Sequence, residues 1–150
     1  MYAVTLALHN LLRWAVLALG LWAVLRAVLG WARASAWSLL DRKAGLFFTI
    51  AFDIQFLLGL LLYFAFGPLA RAALSDFGAA MASVNLRFFA LDHPLEMLAA
   101  VVLAHLGSAL SRKASQDKAR HRRAAIFYTF SLAAVLLAIP WSRPLVPALG

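Results

Sequence analysis

Residues 2–29 read YAVTLALHNLLRWAVLALGLWAVLRAVL, a long apolar run that contains Arg13 and two polar neighbours, His9 and Asn10. About 20 apolar residues in a helix cross a hydrocarbon core ~30 Å thick, so this run is long enough to span a membrane. The same test picks out three more stretches. Residues 45–66 enclose Asp53 and Gln55, residues 88–110 enclose Asp92, His93, Glu96 and His105, and residues 124–141 carry no charge. No strand-like alternation is present, and lipid admits only helices or closed barrels. The expected fold is therefore all-α, an up-down bundle of four transmembrane helices. No linker or repeat divides the chain, so residues 1–150 are expected to form one domain.

Composition agrees. Hydrophobic residues make up 65% of the 150 residues and charged ones 13%, against ~45–50% and ~25% in soluble domains. A disordered chain lacks apolar residues, so disorder is excluded. With no cysteine, disulfide scaffolds and thiolate metal sites are excluded too. The first run lacks a basic leader and a small-residue cleavage site, so it is expected to be a retained helix rather than a signal peptide.

The net charge of +8 is distributed unevenly. Arg26, Arg33, Arg42 and Lys43 lie around the first connection, and Arg112, Lys113, Lys118, Arg120, Arg122 and Arg123 around the third. The opposite side has only Arg71, Arg87 and Arg143. By the positive-inside rule the two basic loops face the cytoplasm. Both termini are then expected outside, in the periplasm of a bacterial inner membrane. The basic loops would contact anionic lipid, and they are too short to suggest nucleic acid. In the outer connection Gly67-Pro68 ends the second helix. Residues 69–84 then mix apolar groups with Arg71, Ser75, Asp76 and Ser83, as an amphipathic surface helix or a loop covering a site would. Trp31, Trp37 and Trp141 fall near span ends, as in an aromatic belt.

Ionisable groups inside a span cost about 2.5–3.5 kcal/mol each on insertion scales, so each calls for a partner or a function. At ~1.5 Å per residue, His9 and His93 fall at nearly the same level in the outer half of the bilayer. Arg13 and Glu96 lie about one turn deeper. His9 and Arg13 share one helix face, as do His93 and Glu96. Asp53 and Gln55 sit near the midplane, within reach of Arg13. Two imidazoles at one depth on different helices can ligate a haem b iron from both sides. Arg13 or Arg87 would then face a propionate, and Phe88, Phe89, Trp14 and Phe56 would supply walls. Asp92, Asn10 or Gln55 would hydrogen-bond a ligand's second ring nitrogen.

Other readings stand beside this one. An intramembrane histidine is often just an interhelical hydrogen-bonding residue, and Arg13 with Glu96 or Asp53 can be a structural ion pair. Asp92-His93-Pro94 also suits a helix start, with proline in the first turn; the alternative is a proline kink. His121, beside Arg120, Arg122 and Arg123, reads as a headgroup-facing residue. His105 lies twelve residues from His93, about 120° around the helix, which favours one haem over two.

Several segments together resemble a small bacterial four-helix membrane family labelled cytochrome b-like. They are His9 followed by Leu12-Arg13-Trp14, GLLLY at residues 59–63 after Gln55, and Arg87-Phe88-Phe89 leading to His93. Ala119-Arg120-His121-Arg122-Arg123, Ile126-Phe127-Tyr128 and Ile139-Pro140-Trp141 complete the set. The resemblance covers nearly the whole chain. It implies a b-type cytochrome or haem-binding subunit that exchanges electrons with quinone. In that family a histidine often occupies the second span near Gln55; here Asp53 stands nearby.

The leading expectation is thus an electron carrier, with His9 and His93 as axial ligands and Arg13, Glu96 and Gln55 around them. One alternative is a haem-free divalent-metal or proton site in a small transporter, built from His9, His93, Glu96, Asp92 and Asp53. The other is a non-catalytic subunit of a homo-oligomer or larger membrane complex. Stand-alone hydrolytic chemistry is disfavoured, since GxSxG, phosphate-loop and HExxH patterns are all missing.

Overall fold

The computed structural model describes residues 1–141, and these are helical with short connections. Helix α1 spans Tyr2–Ala32 and α2 spans Leu39–Leu61, which continues as a π-helical turn over Leu62–Phe66. Three short helices follow: α3 (Pro68–Ser75), α4 (Phe77–Ala82) and α5 (Val84–Arg87). A second π turn, Phe88–Asp92, leads into α6 (His93–Lys113), and α7 runs Asp117–Ala138.

Local chemistry sets the boundaries. Ala34, in left-handed conformation at φ 48°, turns the chain out of α1, while the Ser35 amide donates back to the Gly30 carbonyl at 3.1 Å. A capping box opens α2: Asp41 accepts from the Ser38 amide at 2.8 Å and Ser38 Oγ accepts from the Asp41 amide at 3.4 Å. Each side chain thereby satisfies an amide that no helical carbonyl reaches. Gly67 and Pro68 stop the second helix and start the surface segment. In place of one amphipathic helix over 69–84 there are α3 and α4, the latter capped by Asp76, whose Oδ1 accepts from the Ala79 amide at 2.9 Å.

The four long helices pack in the ring order α1–α2–α6–α7, with α2–α6 the sparsest seam. Phe48 and Phe52 of α2 and Tyr128 of α7 fill the interior, with Val16, Ala23, Ala100, Ala104 and Ala124 around them. The alanines allow the close backbone approach that lipid-embedded helices rely on. Gly45 and Gly107 make room for Tyr128, since a Cβ at either would collide with its ring or hydroxyl. The outer surface is apolar, with Leu21, Leu25, Phe64, Phe130 and Leu137 exposed, as befits contact with acyl chains.

Among the described residues three helices are long and apolar enough to cross a membrane: Tyr2–Ala32, Leu39–Phe66 and Val84–Lys113. Each exceeds the span read from the sequence, because polar and basic ends continue the helix past the apolar run. Helix α7 differs from expectation. It starts at Asp117 with a basic first half, and its apolar part, residues 124–138, rises only ~22 Å. Contacts between helix ends establish which ends lie together. Arg26 with Asp41, and Gly30 with His121, join the ends that carry the ten cations of the first and third connections. His9, His93 and Ala138 meet at the other end, with Arg71 and Arg87 in the segments nearby; Arg143 lies outside the described residues.

Candidate functional site

Helices α1 and α6 are diagonal in the ring, so a side chain from each can meet only across the interior. His9 and His93 do so, with ring centroids 6.5 Å apart and planes at 72°. His93 occupies the junction between the Phe88–Asp92 π turn and α6, with Pro94 in the first turn. The helix runs without a break from Val84 to Lys113 and Asp92 makes no capping bond, so Asp92-His93-Pro94 is not a helix start; Pro94 lies inside the helix and has no N–H for the Ala90 carbonyl. π turns interrupt the usual carbonyl ladder and frequently border sites. The two turns, Leu62–Phe66 and Phe88–Asp92, are tied together, since Tyr63 Oη donates to the Ala90 carbonyl at 2.8 Å.

Each imidazole has a distinct environment. His93 Nδ1 lies 2.8 Å from the Ala138 carbonyl at the end of α7. A carbonyl only accepts, so Nδ1 carries the proton and Nε2 keeps its lone pair. His9 Nδ1 is buried with no hydrogen-bond partner. Opposite it stands Gly59, where a Cβ would lie 3.4 Å from His9 Cε1. Phe88 packs on His93 at 5.6 Å, and Phe89 packs against Phe88 at 5.0 Å. Gln55 is buried and donates from Nε2 to the His9 carbonyl at 3.0 Å, fixing the α1 backbone at this level. Arg13 is buried too and donates from Nη2 to Asn10 Oδ1 at 2.9 Å. Its charge acts on both imidazoles, and that of Glu96 acts on His93.

Several expected partnerships are corrected. Asn10, Gln55 and Asp92 do not bond the ring nitrogens. Asn10 holds Arg13, Gln55 holds a backbone carbonyl, and Asp92 pairs with Arg87 at 3.3 Å. The group that orients His93 is the Ala138 carbonyl, which no side-chain reading reveals. Neither Glu96 nor Asp53 is ion-paired with Arg13. Glu96 is exposed, and Asp53 accepts from His105 Nε2 at 2.8 Å. Among the described residues no three His, Asp or Glu side chains gather as metal ligands, so the haem-free set of five is not assembled. Trp14 and Phe56 lie nearby in sequence, but Trp14 is exposed.

His121 is also relocated. It is 1% exposed, not headgroup-facing, because α7 presses it onto the bare Cα of Gly30 while the Trp37 ring covers it at 4.8 Å. Neither of its ring nitrogens has a hydrogen-bond partner. The sequence clue is Gly30, a small residue near the end of α1. His105 and His121 do not form a second pair.

The geometry thus offers one bis-imidazole pair lined by aromatic rings and flanked by a buried arginine. In comparisons with known proteins, no family model, no curated protein and no solved structure matches this chain.

Proposed function

We propose that this chain is a membrane electron carrier holding one haem b between His9 and His93. The supporting observation is the imidazole pair itself. Two nitrogens each ~2.1 Å from a shared ion place ring centroids roughly 6 to 7 Å apart, and the observed separation is 6.5 Å. His93 has its Nδ1–H engaged, so its Nε2 is the ligating nitrogen; His9 brings a buried nitrogen that no protein group satisfies. Haem needs only two protein ligands, whereas a bare zinc or iron centre needs three or four. The donor set therefore fits haem better than a bare ion.

Gly59 lets the α2 backbone approach the His9 ring with no side chain between them, Phe88 and Phe89 form apolar walls, and Arg13 supplies a positive charge for a propionate. When bound, the haem supplies one-electron redox chemistry. The chain's own residues hold the imidazoles in place: Gln55 fixes the backbone of α1 and the Ala138 carbonyl fixes the tautomer of His93. In this reading α7 completes a four-span bundle with the basic loops in the cytoplasm of a bacterial cell, and quinone in the bilayer is the redox partner. Porphyrin and iron analysis of the detergent-purified chain is the test. About one non-covalent haem b per chain is expected. Folded protein with bound metal but no porphyrin, or with neither, overturns the proposal.

A further inference from the structure

Asp53 and His105 form a hydrogen-bonded pair outside the histidine site, in the open seam between α2 and α6. Their side chains are 43% and 52% exposed, on the face turned to lipid. Ionisable groups in a membrane nearly always face a bundle interior or a water-filled cavity. This pair faces neither within one chain.

Its surroundings have a regular pattern. Along α2 the residues Leu46, Ile50, Asp53, Leu57 and Leu60 recur at spacings of four and three, and the four apolar ones are exposed. Along α6 the residues Leu95, Leu98, Val102 and His105 do the same. Such spacing makes a seam for helix packing, and one polar residue at a seam position fixes register and partner number. Here each of two neighbouring seams carries one polar residue, and the two are bonded at one level.

We infer that this face is the contact between two copies of the chain, related by a two-fold axis along the membrane normal. Copies inserted the same way place all four groups at one depth. The symmetry brings Asp53 opposite the partner's His105, and His105 opposite the partner's Asp53, so acid meets imidazole twice. His105 donates Nε2–H to its own Asp53, and as an imidazolium it also donates Nδ1–H to the free carboxylate oxygen of the partner's Asp53. The network is closed and hidden from acyl chains only when both copies contribute. The inference stands apart from the haem reading.

The chain has no cysteine, so single introduced thiols report contact directly. In native membranes under a permeant oxidant, Ile50→Cys and Leu57→Cys form covalent dimers several-fold more than Leu21→Cys and Leu25→Cys on α1. Adding Asp53→Leu with His105→Leu lowers the seam yield several-fold, whereas Asp53→Asn with His105→Asn, which keeps hydrogen bonding, preserves it. Equal yields on both faces, or a seam yield indifferent to the leucine pair, overturn the inference. So does a single copy per lipid nanodisc, whether bare, carrying a lipid-soluble small molecule or bound to another protein. Porphyrin content enters none of these readouts, so the two proposals fail separately.

Discussion

His93 Nδ1 and the Ala138 carbonyl lie 2.8 Å apart, joining the start of α6 to the end of α7. This bond settles the tautomer of His93 and leaves Nε2 as the nitrogen that keeps its lone pair. It also links a candidate ligand to the helix that is too short, by its apolar part, to cross a membrane unaided. Ligand orientation by a backbone carbonyl is a common outer-shell arrangement.

Replacing either imidazole tests the pair. His9→Ala and His93→Ala are each expected to lower haem retained per chain by more than ~10-fold, since even loss of an outer-shell group costs ~10–100-fold in affinity. Absorbance of protein purified in parallel is the measurement, with circular dichroism as the control for folding.

Space beside His9 depends on Gly59. A methyl there meets His9 at 3.4 Å, a tight fit the ring can accommodate. Gly59→Ala is therefore expected to retain most cofactor, and Gly59→Leu to expel it by displacing the imidazole. Haem titration of the two variants gives the comparison.

At the basic end, Gly30→Ala forces a Cβ into the His121 ring. The cost of such overpacking is about 1–3 kcal/mol, read as a lower melting temperature in detergent. His121→Ala in the same chain removes the obstacle, so the double variant is expected to lose less than the sum of the two single ones.

Ala34 adopts the left-handed conformation after α1, at φ 48°. An L-residue there costs roughly 1–2 kcal/mol that glycine avoids. Ala34→Gly is accordingly expected to raise thermal stability by a corresponding amount, with no change in cofactor content.

Much of the architecture was legible because membrane physics is one-dimensional along each helix. Apolar run lengths located the helices, and counting rise per residue placed His9 and His93 at one level, where their rings do meet. Lateral neighbours were not legible. Asp53 has the depth to reach Arg13, but the ring order α1–α2–α6–α7 turns it toward His105 on the lipid side. His121 looked like a headgroup residue among arginines, yet a glycine on α1 opened a buried place for it. The π turns and the Ala138 carbonyl carry no side-chain signature, so backbone geometry alone discloses them. The apolar half of α7 reads as a span by itself, and its basic first half belongs to the same helix.

The reduced-minus-oxidised visible spectrum of the detergent-purified chain decides whether His9 and His93 hold a haem. Sharp bands of a six-coordinate, low-spin b-type haem are expected, lost in both His9→Ala and His93→Ala. Bands that persist unchanged in either variant would contradict this ligation, as would a folded wild-type chain that stays colourless after incubation with haem.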